Sequence, residues 1–213
     1  MKTPIGLFGG TFNPVHHGHL RSALDICQML SLDHVTMIPN FISPHKRKGN
    51  ISNEHRLTML KLATQDCQQL EISDIEINSP KISYTVDTIN HFRDLYPAHP
   101  LCFLMGMDSF VNFTTWHHWQ EILEHCHLIV SQRPGYALKE NDDAYELLQQ
   151  HETKNLENLR HSLGGKIYIH HAFPLAISSS QMRQAISANH PITFLTPPAV
   201  QAHITKHQLY LAN

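Results

Sequence analysis

The sequence predicts an α/β fold: a Rossmann-like, doubly wound parallel sheet with helices on both faces. Short runs that are apolar throughout recur along the chain, such as IGLF (Ile5–Phe8), LCFLM (Leu101–Met105) and HLIV (His127–Val130). Strands of that kind belong to a sheet covered on both sides. Between them lie segments with apolar residues at helical spacing, and strand–helix alternation marks parallel βαβ units.

Ile5–Phe8 reads as a buried strand stopped by Gly9-Gly10. From about His19 to Leu30, residues Leu20, Ala23, Leu24, Cys27 and Leu30 share one helix face. His34–Pro39 (HVTMIP) is the next strand, ended by proline. Ser52–Cys67 is a helix with Ser52 as N-cap and Leu57, Leu60 and Ala63-Thr64 on its buried face. Leu70–Ile77 reads as one or two short strands, Thr85–Tyr96 as a helix, Lys166–Ile169 (KIYI) as a strand, and Ser178–Ala188 and Pro198–Thr205 as late helices. Residues 135–165 are more polar and edged by Gly135 and Gly164-Gly165, so they read as a peripheral helical insertion within a single domain over 1–213.

Composition narrows the function classes. Lys plus Arg number 16 and Asp plus Glu 18, a formal net charge of −2. That balance disfavours bulk binding to nucleic acid and leaves room for a local anion site. No apolar run approaches the roughly 20 residues needed to span a bilayer, and no signal peptide is expected. The four cysteines, Cys27, Cys67, Cys102 and Cys126, form no C-x-x-C pair and read as reduced, buried thiols of a cytoplasmic protein. The 19 histidines include doublets at 16–17, 117–118 and 170–171. For the last two doublets surface or rim positions are preferred, and no metal-ligating residue is assigned.

The informative segment is GGTFNPVHHGH, Gly9–His19, between the first strand and the first helix. Ligands of doubly wound sheets lie just beyond the carboxyl ends of strands. Gly9 and Gly10 allow close backbone approach, Thr11 adds a hydroxyl, and His16 and His19 are spaced to face one anion at a helix N-terminus. The segment matches neither the Walker pattern nor the dinucleotide-binding G-x-G-x-x-G. His17 reads as solvent-facing. Near the other end, ISSSQMR (Ile177–Arg183) places three hydroxyls at a helix start and an arginine about one turn on, a second anion site.

G-G-T-F-x-P-x-H-x-G-H followed far downstream by I-S-S-[ST]-x-x-R resembles the signatures of the H-x-G-H nucleotidyltransferase superfamily. Within it the chain is similar over nearly its whole length to bacterial nicotinate-nucleotide adenylyltransferases. The supporting segments are IPNFISPHK, SYTVDT, FLMGMDSF, TTWHHW, HLIVSQRPG and GKIY. Phosphopantetheine adenylyltransferases share both phosphate motifs but lack the SYT and tryptophan segments.

The resemblance implies transfer of the adenylyl group of ATP to nicotinate mononucleotide, giving nicotinate adenine dinucleotide and pyrophosphate, with Mg²⁺ accompanying ATP. It implies catalytic roles for His16, His19 and Arg183. Gly9, Gly10, Thr11, Phe12, Gly18, Gly106, Asp108, Ser178, Ser179 and Ser180 would line the ATP site. The acceptor side would comprise Thr85, Trp116 (stacking on the pyridine ring), the backbone N–H groups of Val86 and His117, and Arg133. His45 and Lys46, in the basic run Pro44–Lys48, are candidates for a phosphate contact. Asn13 stands where aspartate is common in the family and carries no charge to catalysis. The competing readings are an adenylyltransferase acting on the amide, nicotinamide mononucleotide, or on another phosphate acceptor such as phosphopantetheine, and a non-catalytic histidine-rich metal- or nucleotide-binding module. If the enzymatic reading holds, the opening turn and the late serine-capped helix have to converge on one triphosphate.

Overall fold

The computed structural model describes residues 2–41, 51–79, 84–132, 138–140, 142–171 and 175–211. Six strands, β1 (Ile5–Gly10), β2 (Val35–Pro39), β3 (Leu70–Ile72), β4 (Leu101–Gly106), β5 (His127–Gln132) and β6 (Ile167–His171), form one sheet in the order β3-β2-β1-β4-β5-β6. Every neighbouring pair is parallel.

The helices are α1 (His17–Met29), α2 (Asn53–Thr64), α3 (Thr85–Leu95), α4 (Met107–Phe110), α5 (Trp119–His125), α6 (Asp143–His151), α7 (Ser179–Ser187) and α8 (Pro198–Lys206). They cover both faces of the sheet. Ala23 and Ile26 of α1, Met59 and Leu60 of α2, Met182 of α7 and Val200 of α8 share one buried cluster with Cys102 and Leu104 of β4. Val86 and Ile89 of α3, Phe110 of α4, Ile122 of α5 and Ala144 of α6 form the other, with Leu101, Phe103 and Met105 of the same strand. Strand residues alternate between faces, so an all-apolar strand such as β4 feeds two cores at once.

The order reverses between β1 and β4, which creates the switch point. The β1–β4 ladder runs from Ile5↔Leu101 to Leu7↔Phe103. The outer ladders continue further, to Gly10↔Pro39 and Gly106↔Ser131. Pairing between the central strands thus stops short of their carboxyl ends, at Gly9-Gly10 and Gly106, which is where a doubly wound sheet forms its ligand crevice. No described helix is long and apolar enough to cross a membrane.

Several expectations need correction. Leu70–Ile77 forms one three-residue strand followed by turns. The helix after Ser52 buries Arg56, Met59, Leu60 and Thr64, whereas Leu57 is only half-buried. The short helices α4 and α5 and the 3₁₀ turn Phe113–Thr115 were not foreseen. His170 is buried on β6 rather than at the rim. Cys67 is half-buried, while Cys27, Cys102 and Cys126 are buried; all four are free thiols.

Candidate active site

The turn after β1 is built from the inside out. Phe12 adopts a left-handed backbone (φ 45°) and drives its ring into the core, where it is 1% exposed. A side chain on Gly10 would run into that ring, with a Cβ 2.9 Å from Phe12 Cζ. Gly18 lies equally close beneath His16: a Cβ there would sit 2.9 Å from His16 Nδ1. These glycines are therefore required by packing around the turn, whatever occupies the crevice.

Four carbonyls of this turn are held by donors from distant segments. Arg56 Nη1 donates to Thr11 O at 2.8 Å. Arg183 Nη1 donates to Asn13 O at 2.7 Å, and Ser179 Oγ to Pro14 O at 2.9 Å. Thr196 Oγ1 donates to Val15 O at 2.9 Å. In a trans peptide the carbonyl and the following N–H point in opposite directions. Capturing the Thr11 and Pro14 carbonyls on the protein side therefore turns the N–H groups of Phe12 and Val15 the other way. This is the arrangement an anion-binding turn needs.

His16 is the N-cap of α1 and is 2% exposed. Its ring stacks on that of His19, with centroids 3.7 Å apart and planes 21° from parallel. The His16 N–H donates to His19 Nδ1 at 3.3 Å. His19 also meets Phe12 edge-on at 5.1 Å, so its ring is held from two sides.

The late helix reaches this turn directly. Ser178 caps α7, accepting from Gln181 N at 3.2 Å, and Arg183 Nη2 donates to Ser180 Oγ at 3.2 Å. The three serines consequently do unlike things. Ser178 is occupied as the cap, Ser179 ties α7 to Pro14, and Ser180 lies exposed beside Arg183. All three stand at the start of α7, beside the turn that follows β1. His16, Gly18, His19, Ser179 and Arg183 stand together, although nearly the whole chain separates the two motifs.

Across the switch point, Gly106 is the N-cap of α4 and exposed Asp108 lies in that helix's first turn, its carboxylate turned back toward Gly106. Phe103 links the two sides of the crevice. Its ring is 3.6 Å from where a Cβ of Gly9 would stand, and it meets Trp116 edge-on with centroids 6.2 Å apart. Trp116 is half-buried, and the next residue, His117, places its ring 4.5 Å from Tyr84, the N-cap of α3. Thr85, Val86, Trp116 and His117 are thus neighbours. The N–H groups of Thr85 and Val86 lie in the first turn of α3, where the helix itself offers no acceptor. His45, Lys46 and Arg133 lie outside the described residues.

An open surface groove lined by Trp116, His118, Trp119, Glu121 and Glu124 also borders the tryptophan. Two carboxylates along its wall make it a poor host for phosphates. The crevice at the carboxyl ends of β1 and β4 has the donors instead.

Arg56, Thr196 and Tyr210 escaped the sequence reading. Arg56 is 4% exposed and donates also to Asn40 O at 2.5 Å and Asn53 Oδ1 at 2.6 Å; its burial lowers the guanidinium pKa from the ordinary value. Its position four residues before Leu60, on the apolar face of α2, was the available signal. Tyr210 donates its hydroxyl to Asn13 Oδ1 at 2.5 Å, and burial raises its pKa against the opposing influence of Arg183 and Arg56.

Comparison with known proteins agrees with this arrangement. A family model described as cytidylyltransferase-like matches residues 7–185, which takes in both motifs. The chain is 40% identical over 213 residues to a probable nicotinate-nucleotide adenylyltransferase of Aeromonas salmonicida (strain A449), covering 100% of each. It is 41% identical over 206 residues to the protein of the same name from Psychromonas ingrahamii, covering 97% of this chain and 96% of that one. In structure it is similar to Plasmodium falciparum nicotinic acid mononucleotide adenylyltransferase complexed with NaAD. The TM-score is 0.75 over 98% of both chains, at 17% identity, a likeness that speaks for the fold. Full-length identity to these relatives, together with a phosphate turn and a serine-capped helix that meet, places this chain in the nicotinate-nucleotide adenylyltransferase family of cytidylyltransferase-like nucleotidyltransferases.

Proposed function

We propose that the protein, acting as a single nucleotidyltransferase domain in the cytoplasm, transfers the adenylyl group of ATP to nicotinate mononucleotide. The products are nicotinate adenine dinucleotide and pyrophosphate. The observation that carries this reading is the direct hydrogen bonding of Arg183 and Ser179 to the turn that bears His16 and His19. One triphosphate laid across that junction meets a helix N-terminus at each end.

The acceptor phosphate is largely dianionic at neutral pH, its second pKa being about 6, so attack on the α-phosphorus needs no strong general base. The oxygen of the mononucleotide phosphate forms a bond to the α-phosphorus as the bond to the bridging oxygen of pyrophosphate breaks. What remains for the protein is alignment and neutralisation of charge. In this reading His19 and His16 donate to the α-phosphate region. Gly9, Gly10, Thr11, Phe12 and Gly18 form the cradle, and Gly106 and Asp108 line the adenosine side. Ser179, Ser180 and Arg183, with Ser178 capping the first turn of α7, hold the outgoing pyrophosphate. His45, Lys46 and Arg133 are proposed on the acceptor side.

Mg²⁺ belongs to this reading as the counter-ion of ATP and pyrophosphate. Among the described residues no three His, Cys, Asp or Glu side chains converge on a point that could hold a metal. Phosphate and water are the ligands such an ion prefers.

Trp116 stacks on the pyridine ring, and the N–H groups of Val86 and His117 receive its carboxylate. A site with donors and no acceptor discriminates against the amide, whose NH₂ would face other N–H groups. The test supplies ATP, Mg²⁺ and either mononucleotide and measures pyrophosphate release. A kcat/KM for the acid that exceeds that for the amide by tenfold or more, on the order of one misdirected hydrogen bond, is expected. Equal values refute acid selectivity, and no release with either acceptor refutes the reaction.

A further inference from the structure

We propose that Tyr210 is a positioning residue for nucleotide binding, acting through Asn13 to hold the phosphate turn in register with Arg183. The inference rests on the adenylyltransferase reading for its substrate. Asn13 is 6% exposed and is clasped twice: Arg183 Nη1 takes its main-chain oxygen at 2.7 Å, and the Tyr210 hydroxyl takes its side-chain oxygen at 2.5 Å. The second Nη of Arg183 is directed at Ser180 Oγ. Two of the guanidinium's donor directions are thereby set within the protein, and the plane of the fork follows Asn13. A shift of Asn13 re-aims Arg183 and, through the shared turn, displaces the N–H groups of Phe12 and Val15.

The chemistry of the pair suits this task. Arg183 and Arg56 favour the ionised form of the Tyr210 hydroxyl, but burial outweighs them and raises its pKa, so the phenol remains a donor. Asn13 needs only an acceptor oxygen to receive it, which an aspartate would also provide. Arg56 clamps Thr11 on one side of the turn and Tyr210 clamps Asn13 on the other. The tyrosine ring also packs against the core cluster beneath α1 and α8, so ring and hydroxyl have separable functions.

Tyr210→Phe keeps the ring and removes the hydroxyl. ATP affinity, titrated without acceptor, is expected to weaken on the order of tenfold, the scale of one buried hydrogen bond. The KM for nicotinate mononucleotide should stay within about twofold and the melting temperature within about 4 °C of wild type. Asn13→Ala should weaken ATP comparably, Tyr210→Phe should add little in that background, and Asn13→Asp should restore most of the affinity. Unchanged ATP affinity in Tyr210→Phe with a lowered melting temperature would overturn the proposal, as would additive losses in the double variant. Should Tyr210→Phe not fold, the Asn13 variants decide, because equal losses in Asn13→Ala and Asn13→Asp contradict a requirement for an acceptor oxygen. A wild-type protein that binds ATP but forms no dinucleotide refutes the reaction and leaves the ATP titrations to judge Tyr210.

Discussion

The rings of His16 and His19 lie stacked, 3.7 Å between centroids, with the His16 N–H donating into His19 Nδ1. That bond determines the tautomer. Nδ1 accepts, so a neutral His19 carries its proton on Nε2, the nitrogen remote from the cap. In the proposed reaction that Nε2–H is the donor offered to the transferring phosphoryl group.

Replacing His19 with alanine should lower kcat by about two to three orders of magnitude, the range for loss of one preorganised donor. The helix also loses part of its cap, a cost of about 1 kcal/mol that should leave circular dichroism native-like and the melting point a few degrees lower. Steady-state kinetics alongside a thermal melt checks both; a rate within threefold of wild type would take His19 out of the chemistry.

Trp116→Ala should raise the KM for nicotinate mononucleotide more than that for ATP, and Trp116→Phe should recover part of the difference. Trp116 stands against Phe103 and Phe113 without filling the core alone. A larger change in the KM for ATP would mean the indole belongs to the nucleotide side.

Arg56→Ala should destabilise the fold by several kcal/mol, since it strips donors from Thr11 O, Asn40 O and Asn53 Oδ1 together. Arg56→Lys should rescue little, because an ammonium on a flexible stem does not reproduce a planar fork. Urea unfolding of the three proteins gives the comparison, and near-wild-type stability of the lysine variant would show that charge alone suffices.

His127 supplies a pH signature far from the phosphate turn. It is fully buried; its Nδ1 accepts from Lys166 N at 3.1 Å, and its Nε2 faces Ser162 O at 3.0 Å. Both bonds are satisfied by the neutral ring, and burial lowers its pKa from 6.5 to about 4. With the folded pKa below the unfolded one, its contribution is fully present above pH 6.5. It falls as pH drops toward 4 and is constant below that, by at most ~3 kcal/mol. Unfolding free energies between pH 4 and 7 should therefore slope more steeply for wild type than for His127→Gln. Parallel curves would place the proton uptake elsewhere.

The features legible in the sequence were those written in adjacent residues. Gly9–His19 and Ile177–Arg183 each carry their chemistry in one short string, and each sits at the end predicted for it, after β1 and at the start of α7. Strand β4 was readable because both its faces are buried. The four-residue α4 and seven-residue α5 are too short for a helical period to show. Arg56, Thr196 and Tyr210 were hidden for another reason. Arg56 and Thr196 act on main-chain oxygens, which every residue has, and Tyr210 acts on a side chain whose own string gave no hint of a distant partner.

The bond from Tyr210 to Asn13 spans 197 positions of sequence. During synthesis the turn that carries Asn13 leaves the ribosome almost two hundred codons before its tether. A growing polypeptide therefore carries the turn without this tether until Tyr210 emerges, and, on the proposal above, every shorter nascent chain holds ATP about tenfold more weakly than the tethered protein.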